Sequence, residues 1–331
     1  MSRPRVYVAR RLPDAALARL REQAEFSVWP TDELPPSRDV LLRETANMDG
    51  LISLLTDRVD GALLDAAPRL RVVSNYAVGY DNIDVEAATA RGVVVTNTPG
   101  VLTETVADFA MTLILATARR LVEGDRYTRA GRWKSWEPML LLGHDIHGAT
   151  LGLVGLGRIG AAVARRARGF GMKMLYYDVI RREDLERELG LEFAPFEEVL
   201  RRADVISVHT PLTPQTRHLI SAEQFKLMKK TAILVNTARG PIVDPDALHQ
   251  ALASGQIAGA GLDVFEVEPV PADHPLLSLE NIIVAPHIAS ASVDTRTKMA
   301  QMAVENLLAT LAGRRPPNLV NPEVWERRRG G

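Results

Sequence analysis

Three side chains that could act on a ketone follow three successive apolar stretches in the second half of the sequence. Arg239 follows "LVNTA", Glu268 lies just beyond "AGAGLDV", and His287 follows "NIIVAP". A guanidinium can hold a carboxylate through two parallel hydrogen bonds, and an imidazole can donate or remove a proton near neutral pH. Glu268 could bind the second ring nitrogen of His287, fix its tautomer and favour the protonated ring. The set therefore suits hydride transfer at a 2-keto acid.

Each of these residues, taken alone, has an ordinary structural explanation. An arginine after a strand is usually a surface residue, a histidine after proline commonly caps or packs, and Glu268 has acidic neighbours at Asp263 and Glu266. Their positions at three consecutive strand ends favour the catalytic interpretation, because ligands of doubly wound sheets bind outside the carboxyl ends of the strands.

Short β-branched runs alternate with helical stretches along almost the whole sequence, in two successive series. The first series runs from "RVYVA" to "GVVVTN", and the second starts at Thr150 with "TLGLVG" and ends with "NIIVAP". Apolar strands separated by helices indicate parallel sheets that are covered on both faces. We therefore predict an α/β fold of two doubly wound parallel-sheet domains, a Rossmann nucleotide-binding domain and a smaller flavodoxin-like substrate domain.

The joints between the two series are also visible in the sequence. "NTPG" is a turn-forming break after the first series, and "APHIAS" ends the second. Apolar residues then recur at helical spacing from Ala300 to Leu311, and we expect this last helix to return to the first domain. The predicted domains are a discontinuous substrate-binding domain of residues 1–99 and 290–331, and a nucleotide-binding domain of residues 100–289.

Gly155, Gly157 and Gly160 form the pattern G-x-G-x-x-G between an apolar strand and a helix, which is the context that dinucleotide binding requires. The glycines would let the backbone approach a pyrophosphate at the positive end of the helix. Asp178, at the end of the next strand, could accept hydrogen bonds from ribose hydroxyls and would repel a 2′-phosphate. This favours NAD(H), although the two arginines of "DVIRR" could hold a phosphate and leave NADP(H) as an alternative.

Composition limits the other classes of function. The 331 residues carry a formal net charge of −1, which gives no electrostatic case for binding nucleic acid or an anionic membrane. The sequence has no cysteine, which excludes disulfides, thiolate metal sites and cysteine nucleophiles and fits a cytoplasmic location. The longest apolar stretch, residues 109–118, has about half the roughly 20 residues that a membrane span needs. We expect no metal centre.

The whole sequence resembles the D-2-hydroxyacid dehydrogenases and, among them, the glyoxylate/hydroxypyruvate reductases. The matching stretches include "NYAVGYDNIDVEAATARGVVVTNTPG", "LGLVGLGRIG", "VHTPLTPQTRHLI", "LVNTARGPIVD", "AGLDVFEVEP" and "VAPHIASAS". The resemblance implies reversible reduction of glyoxylate or hydroxypyruvate by NAD(P)H to glycolate or D-glycerate. It makes His287 the general acid/base, Glu268 its acidic partner and Arg239 the substrate-binding arginine.

The resemblance also implies contacts with substrate, cofactor and a second copy of the chain. The amides of Val78 and Gly79 would receive the substrate carboxylate, and Leu54 would form a pocket wall. Residues 101–147, a buried helix and the arm after it, would join a homodimer, with Trp136 entering the partner's active site. The expected cofactor contacts are Thr105, Gly155, Leu156, Gly157, Arg158, Ile159, Gly160, Asp178, Val179, Ile180, His209, Thr210, Pro211, Thr216, Thr237, Ala238, Arg239, Asp263, His287 and Ala289.

The sequence departs from some relatives in ways that narrow the activity. Several relatives that use NADPH carry Ser-Arg-Thr-Arg where this sequence has "DVIRR". Relatives that act on phosphoglycerate carry arginine in the loop that here reads "LISLLTD", and phosphite-oxidising relatives carry lysine in "YAVGYDN", whereas the first lysine here is Lys134. Two alternatives stay open: another small D-2-hydroxyacid dehydrogenase, for lactate-like acids, and an NAD(H)-sensing protein that binds partner peptides.

Overall fold

The structure is a computed structural model that describes residues 3–31 and 33–330. These residues divide into two compact units. The first unit contains the described residues up to Leu102 together with those from Ala291 onward, and the second is Thr103–Ser290. Each unit is built on a parallel sheet of its own.

The first unit holds a five-stranded parallel sheet in the order β2-β1-β3-β4-β5, which is the order of flavodoxin-like folds. Its strands are β1 (Arg5–Val8), β2 (Glu25–Val28), β3 (Gly50–Ser53), β4 (Val72–Asn75) and β5 (Val94–Thr96). Its helices are α1 (Asp14–Gln23), α2 (Arg38–Thr45), α3 (Gly61–Ala66), α4 (Val85–Ala90) and α12 (Val293–Leu311), with a 3₁₀ turn at Pro322–Arg327.

Three strands of this sheet are buried on both faces. Every residue of β3, β4 and β5 is buried. The last helix, α12, packs against β3 and β4, and Ala300, Ala303, Val304 and Leu307 on it are fully buried. The apolar spacing that predicted this helix therefore corresponds to the stripe that it buries on the first sheet.

The second unit holds a seven-stranded parallel sheet in the order β12-β11-β10-β9-β6-β7-β8, which extends the Rossmann order by one strand. Its strands are β6 (Thr150–Val154), β7 (Lys173–Tyr177), β8 (Leu191–Phe193), β9 (Val205–Val208), β10 (Ile233–Asn236), β11 (Gly259–Leu262) and β12 (Ile282–Val284). Its helices are α5 (Thr103–Ala118), α6 (Leu121–Arg129), α7 (Arg158–Gly169), α8 (Glu183–Leu189), α9 (Phe196–Arg202), α10 (Ala222–Leu227) and α11 (Pro245–Ala253). The two sheets confirm the predicted fold class.

The strand β8 was not predicted as one of the apolar strands of the second series. β8 has three residues, lies at the edge of the sheet, and buries only Leu191. An edge strand of this length carries too little apolar alternation to be distinguished from a loop.

The apolar stretch at residues 109–118 lies in α5, where eight of the helix's 16 residues are buried. This helix packs on α7, β10 and β11. The glycines of β11 allow the close approach, because a Cβ at Gly261 would lie 3.1 Å from the Leu113 and Thr117 side chains. Among the described residues, no helix combines the length and hydropathy needed to cross a membrane.

Candidate active site

The strands β10, β11 and β12 are neighbours in the second sheet and run parallel. The register pairs Asn236 with Leu262 and Leu262 with Val284, so the three strands end level with one another. The loops that carry Arg239, Glu268 and His287 consequently leave the sheet at the same edge.

Glu268 and His287 form a hydrogen-bonded pair at this edge. Nδ1 of His287 lies 2.7 Å from Oε2 of Glu268, and the amide of Phe265 donates to Oε1 of Glu268 at 3.0 Å. An ionised carboxylate can only accept, so Nδ1 carries the proton and donates it to Glu268. Within the described part of the chain, Nε2 of His287 has no hydrogen-bond partner and is available to a substrate.

The pKa of Glu268 lies below its usual range. Burial pushes this pKa upward, but the hydrogen bond and charge of His287, the Phe265 amide and the charge of Arg239 together outweigh the burial. The carboxylate therefore stays ionised near neutral pH, and the two residues that the sequence predicted as an acid/base pair lie in hydrogen-bonding contact.

The backbone at His287 is held by Asp263, which is completely buried at the end of β11. The amide of His287 donates to the Asp263 carbonyl at 2.9 Å, and the amides of Ile288 and Ala289 donate to its Oδ1 and Oδ2 at 2.8 and 2.7 Å. His287 has a φ of 55°, in the left-handed region that residues other than glycine rarely adopt. Burial raises the pKa of Asp263 despite the two amide bonds that oppose it.

Arg239 follows a turn that is fixed by the buried side chain of Asn236. Oδ1 of Asn236 accepts from the amide of Ala238 at 3.0 Å, and its Nδ2 donates to the carbonyl of Arg239 at 2.9 Å. NH1 of Arg239 donates to the Ala238 carbonyl at 2.8 Å. The hydroxyl of Thr237, also buried, has no hydrogen-bond partner among the residues that the structure describes.

The glycine loop lies between β6 and α7, as predicted. Gly155 has a φ of 96°, and a Cβ there would lie 2.8 Å from the backbone of His209 and Thr210. A Cβ at Gly160 would lie 2.4 Å from the Gly155 carbonyl oxygen, whereas a Cβ at Gly157 would enter open space at the start of α7. The first and third glycines are therefore required by packing, and the second leaves room for a pyrophosphate at the helix N-terminus.

Asp178 lies directly after β7 and bonds to the glycine loop. Its Oδ2 accepts from the amide of Leu156 at 2.7 Å and its Oδ1 from the amide of Ile180 at 3.1 Å. The two arginines that follow are already paired: Arg181 with Glu186 at 2.9 Å, and Arg182 with Asp184 at 2.8 Å.

The other predicted cofactor residues lie around the same edge of the second sheet. Arg158 and Ile159 begin α7, Val179 and Ile180 are 87% and 67% exposed after β7, and Thr210 and Pro211 follow β9. The remaining ones are Thr105 in the first turn of α5, Ala238 after β10 and Ala289 after β12.

Two of these residues make local contacts that the sequence did not indicate. Nε2 of His209 lies 2.8 Å from the Ser207 hydroxyl, and burial lowers the pKa of His209 to about 4, so the ring is neutral at neutral pH. The Thr216 hydroxyl donates to the Pro211 carbonyl at 2.7 Å and accepts from the amide of Thr213 at 2.7 Å. Thr216 therefore shapes the loop after β9.

Leu54, Val78 and Gly79 lie in the first unit, where two asparagines connect their loops. Nδ2 of Asn82 donates to the Leu54 carbonyl at 2.9 Å, and Nδ2 of Asn75 donates to the Gly79 carbonyl at 2.8 Å. The amides of Val78 and Gly79 donate to no acceptor within residues 3–31 and 33–330. Two adjacent amides that donate to no protein acceptor can bind an anion such as a carboxylate.

Trp136 lies in the second unit, on the arm after α6, and its side chain is 78% exposed. Among the described residues of that unit, no hydrogen bond, ion pair or ring contact joins it to another predicted site residue.

Sequence reasoning missed a buried acid in the Leu54 loop. Asp57 is 2% exposed, and its Oδ2 accepts from the amide of Leu54 at 2.8 Å. Burial raises the pKa of Asp57 to about 6. The only signal in the sequence was an acid directly after the apolar run "LISLLT".

The second unit matches a known family. Residues 111–289, more than half of the chain, match the family described as "D-isomer specific 2-hydroxyacid dehydrogenase, NAD binding domain". The chain belongs to the D-2-hydroxyacid dehydrogenases. The family and fold predicted from the sequence are therefore confirmed, and the dehydrogenase is an NAD(P)-dependent oxidoreductase.

Similar proteins place the dehydrogenase in the glyoxylate reductase subgroup. The glyoxylate reductase of Korarchaeum cryptofilum is 59% identical over 323 residues, which cover 97% of each chain. That of Thermococcus kodakarensis is 53% identical and covers 99% of each chain.

Solved structures share the fold of the dehydrogenase over nearly its whole length. A Thermus thermophilus protein has a TM-score of 0.90 at 51% identity, covering 96% of this chain and 99% of its own. The NADPH-dependent glyoxylate/hydroxypyruvate reductase of Sinorhizobium meliloti, solved in complex with NADP and malonate, has a TM-score of 0.83 at 37% identity and covers 98% of each chain.

Proposed function

We propose that this dehydrogenase reduces glyoxylate, hydroxypyruvate or both to the D-2-hydroxy acid, with NADH as the preferred cofactor. The observation that carries the proposal is the Glu268–His287 pair, 2.7 Å apart, at the sheet edge where Arg239 also emerges. The names of the relatives support the choice of substrate.

Each residue has a distinct role in the proposed reaction. Arg239 holds the substrate carboxylate and polarises the ketone, because its planar fork presents two parallel donors. Nε2 of His287 donates a proton to the ketone oxygen during reduction and removes it during oxidation. Glu268 fixes the tautomer and stabilises the protonated ring. The nicotinamide, when bound, supplies or accepts the hydride.

Val78, Gly79 and Leu54 are the other proposed substrate contacts. The amides of Val78 and Gly79 receive the carboxylate, since neither is used within the described residues. Leu54 provides an apolar wall, and the absence of a cation among Leu54, Leu55 and Thr56 favours a small acid without a phosphate.

The preference for NADH rests on the charges after β7. Asp178, directly after β7, carries a carboxylate that would repel a 2′-phosphate. Arg181 and Arg182 are both held in ion pairs with nearby acids, so binding a 2′-phosphate would require breaking these pairs.

A panel of 2-keto acids tests the proposal. Steady-state kcat/KM is measured for glyoxylate, hydroxypyruvate and pyruvate, each with NADH and with NADPH. We expect glyoxylate or hydroxypyruvate with NADH to give the highest value. Equal values for glyoxylate and pyruvate would favour a lactate-like dehydrogenase, and NADH binding without any turnover would favour the NAD(H)-sensing alternative.

We also propose a homodimer, built through residues 101–147. Five large apolar side chains in this range are 55–78% exposed, namely Leu121, Trp133, Trp136, Met139 and Leu142. Exposed apolar side chains concentrated in one segment are typical of interaction sites. Light scattering after size exclusion should give twice the chain mass. A cytoplasmic location stays a prediction.

A further inference from the structure

Glu266 joins the loop after β11 to the loop after β9. Its Oε1 lies 3.0 Å from NH1 of Arg217 and 3.2 Å from Nε2 of His218. The Glu266 side chain is 30% exposed and those of Arg217 and His218 are 53% and 40% exposed. Exposed ion pairs contribute little to stability, so stabilisation alone is a weak explanation for this cluster.

The loop after β9 is also attached to the segment that directly follows Arg239. The amide of His218 donates to the Pro241 carbonyl at 2.8 Å, and the amide of Ile220 donates to the Ile242 carbonyl at 3.1 Å. His218 has a φ of 51°, a left-handed conformation that histidine adopts rarely. These backbone hydrogen bonds fix the main chain at His218, from which the ring reaches Glu266.

Gly240, in the loop after β10, lies against the loop after β11. A Cβ at Gly240 would lie 1.9 Å from the carbonyl carbon of Phe265 and 2.4 Å from the amide nitrogen of Glu266. The backbone at Gly240 is therefore in direct contact with the backbone of Phe265 and Glu266, which leads to Glu268. The loop after β9 contacts both the loop after β10, through backbone hydrogen bonds, and the loop after β11, through Glu266.

We propose that Glu266, held by Arg217 and His218, is a positioning residue for the Glu268–His287 pair. Glu266 lies two residues before Glu268 in the loop whose backbone is pressed against the turn after β10. When Glu266 is held, the backbone from which Glu268 reaches His287 is fixed. Its position is then also fixed relative to the loop that carries Arg239. This inference rests on the proposed function, because it concerns the orientation of the proposed acid/base pair.

The variant Glu266→Gln tests this role, since it keeps the size of the side chain and removes its charge. We expect kcat for keto-acid reduction to fall about tenfold, while KM for the keto acid and Kd for NADH change by less than about twofold. In a Glu268→Gln background, Glu266→Gln should have no further effect, because a residue that acts through Glu268 loses its influence when Glu268 is already altered.

Control variants separate positioning from general stability. Glu198→Gln removes an exposed ion pair with Arg201, 2.8 Å apart, far along the sequence from these loops and should leave kcat unchanged. Arg217→Lys should retain most of the activity because the cation remains, whereas Arg217→Gln should resemble Glu266→Gln. The exposed Arg217 also supplies the test if Glu266→Gln fails to fold.

Two results would overturn the positioning role. One is a wild-type kcat in both Glu266→Gln and Arg217→Gln. The other is an equal loss of kcat from Glu266→Gln with and without Glu268→Gln. Either result, obtained with a wild-type protein that reduces 2-keto acids, leaves the proposed function intact. Absence of all keto-acid turnover in the wild-type protein would remove the function itself.

Discussion

Asp263 determines the backbone conformation at His287. Its carbonyl and both carboxylate oxygens accept hydrogen bonds from three consecutive amides, beginning with that of His287 at 2.9 Å. A left-handed φ at a histidine is unfavourable by itself. The buried carboxylate offsets this cost and directs the ring toward Glu268.

Asp263→Asn tests this relationship. One carboxylate oxygen becomes an NH₂ group that faces an amide donor, so we expect a loss of about 1–3 kcal/mol in unfolding free energy and a lower kcat. Asp204→Asn is the control, because Asp204 also accepts a backbone amide, from Thr150 at 2.8 Å, but at the amino edge of the sheet. Thermal unfolding and kcat are measured for both. A kcat loss as large in Asp204→Asn would refute a specific role for Asp263.

Arg239→Lys should raise KM for the keto acid roughly 10- to 100-fold, because an ammonium cannot replace a bidentate, charge-assisted pair of hydrogen bonds. The Kd for NADH, measured by fluorescence, should change little. A KM within twofold or so of the wild-type value would show that another cation holds the carboxylate.

His287→Ala should lower kcat by about 10²- to 10⁴-fold with little change in NADH binding, since it removes the proton donor. Single-turnover oxidation of NADH in the presence of glyoxylate measures the effect. Turnover equal to that of the wild type would eliminate His287 as the acid/base.

Glu268→Gln should change the pH profile of reduction. In the wild type the depressed pKa of Glu268 keeps its carboxylate ionised until the pH falls below the usual range of a glutamic acid, so activity should hold on the acid side. In the variant residue 268 cannot ionise, so kcat should be lower than in the wild type and the decline of activity that follows protonation of Glu268 at low pH should be absent. A kcat and an acid-side decline equal to those of the wild type would contradict the pairing.

Asp178→Ser should increase kcat/KM with NADPH relative to NADH by at least about tenfold, because like charges placed together in an interface cost several kcal/mol. The comparison is made with glyoxylate held constant. If the ratio does not move, cofactor choice is determined elsewhere in the nucleotide site.

Asp57→Asn should alter the pH dependence of stability. Burial raises the pKa of Asp57 from 3.8 to about 6, so between these values the folded protein holds a proton that the unfolded chain has released. Stability is therefore lost as pH rises through this window, by at most about 3 kcal/mol. The variant should gain Tm relative to the wild type as pH increases from about 4 to about 7. The same measurement on Asp84→Asn, at an exposed helix cap, is the control for loss of a surface carboxylate.

The sequence determined most elements of the fold and the residues proposed for the site. The strands and helices could be predicted because the spacing of their apolar residues repeats locally, and the glycine loop could be predicted because its glycines serve a single turn. Arg239, Glu268 and His287 could be proposed together because parallel strands that end level bring the residues after them to the same edge of the sheet.

Tertiary structure decided how those residues are held. Asp263 bonds to amides 25 and 26 residues away, and Glu266 pairs with Arg217 across 49 residues. The close contact between the backbones of Gly240 and Phe265 could not be predicted from the sequence, and neither could the short edge strand β8. Such contacts depend on ångström-scale separations between loops that are distant along the chain, and residue type and spacing do not encode those separations locally.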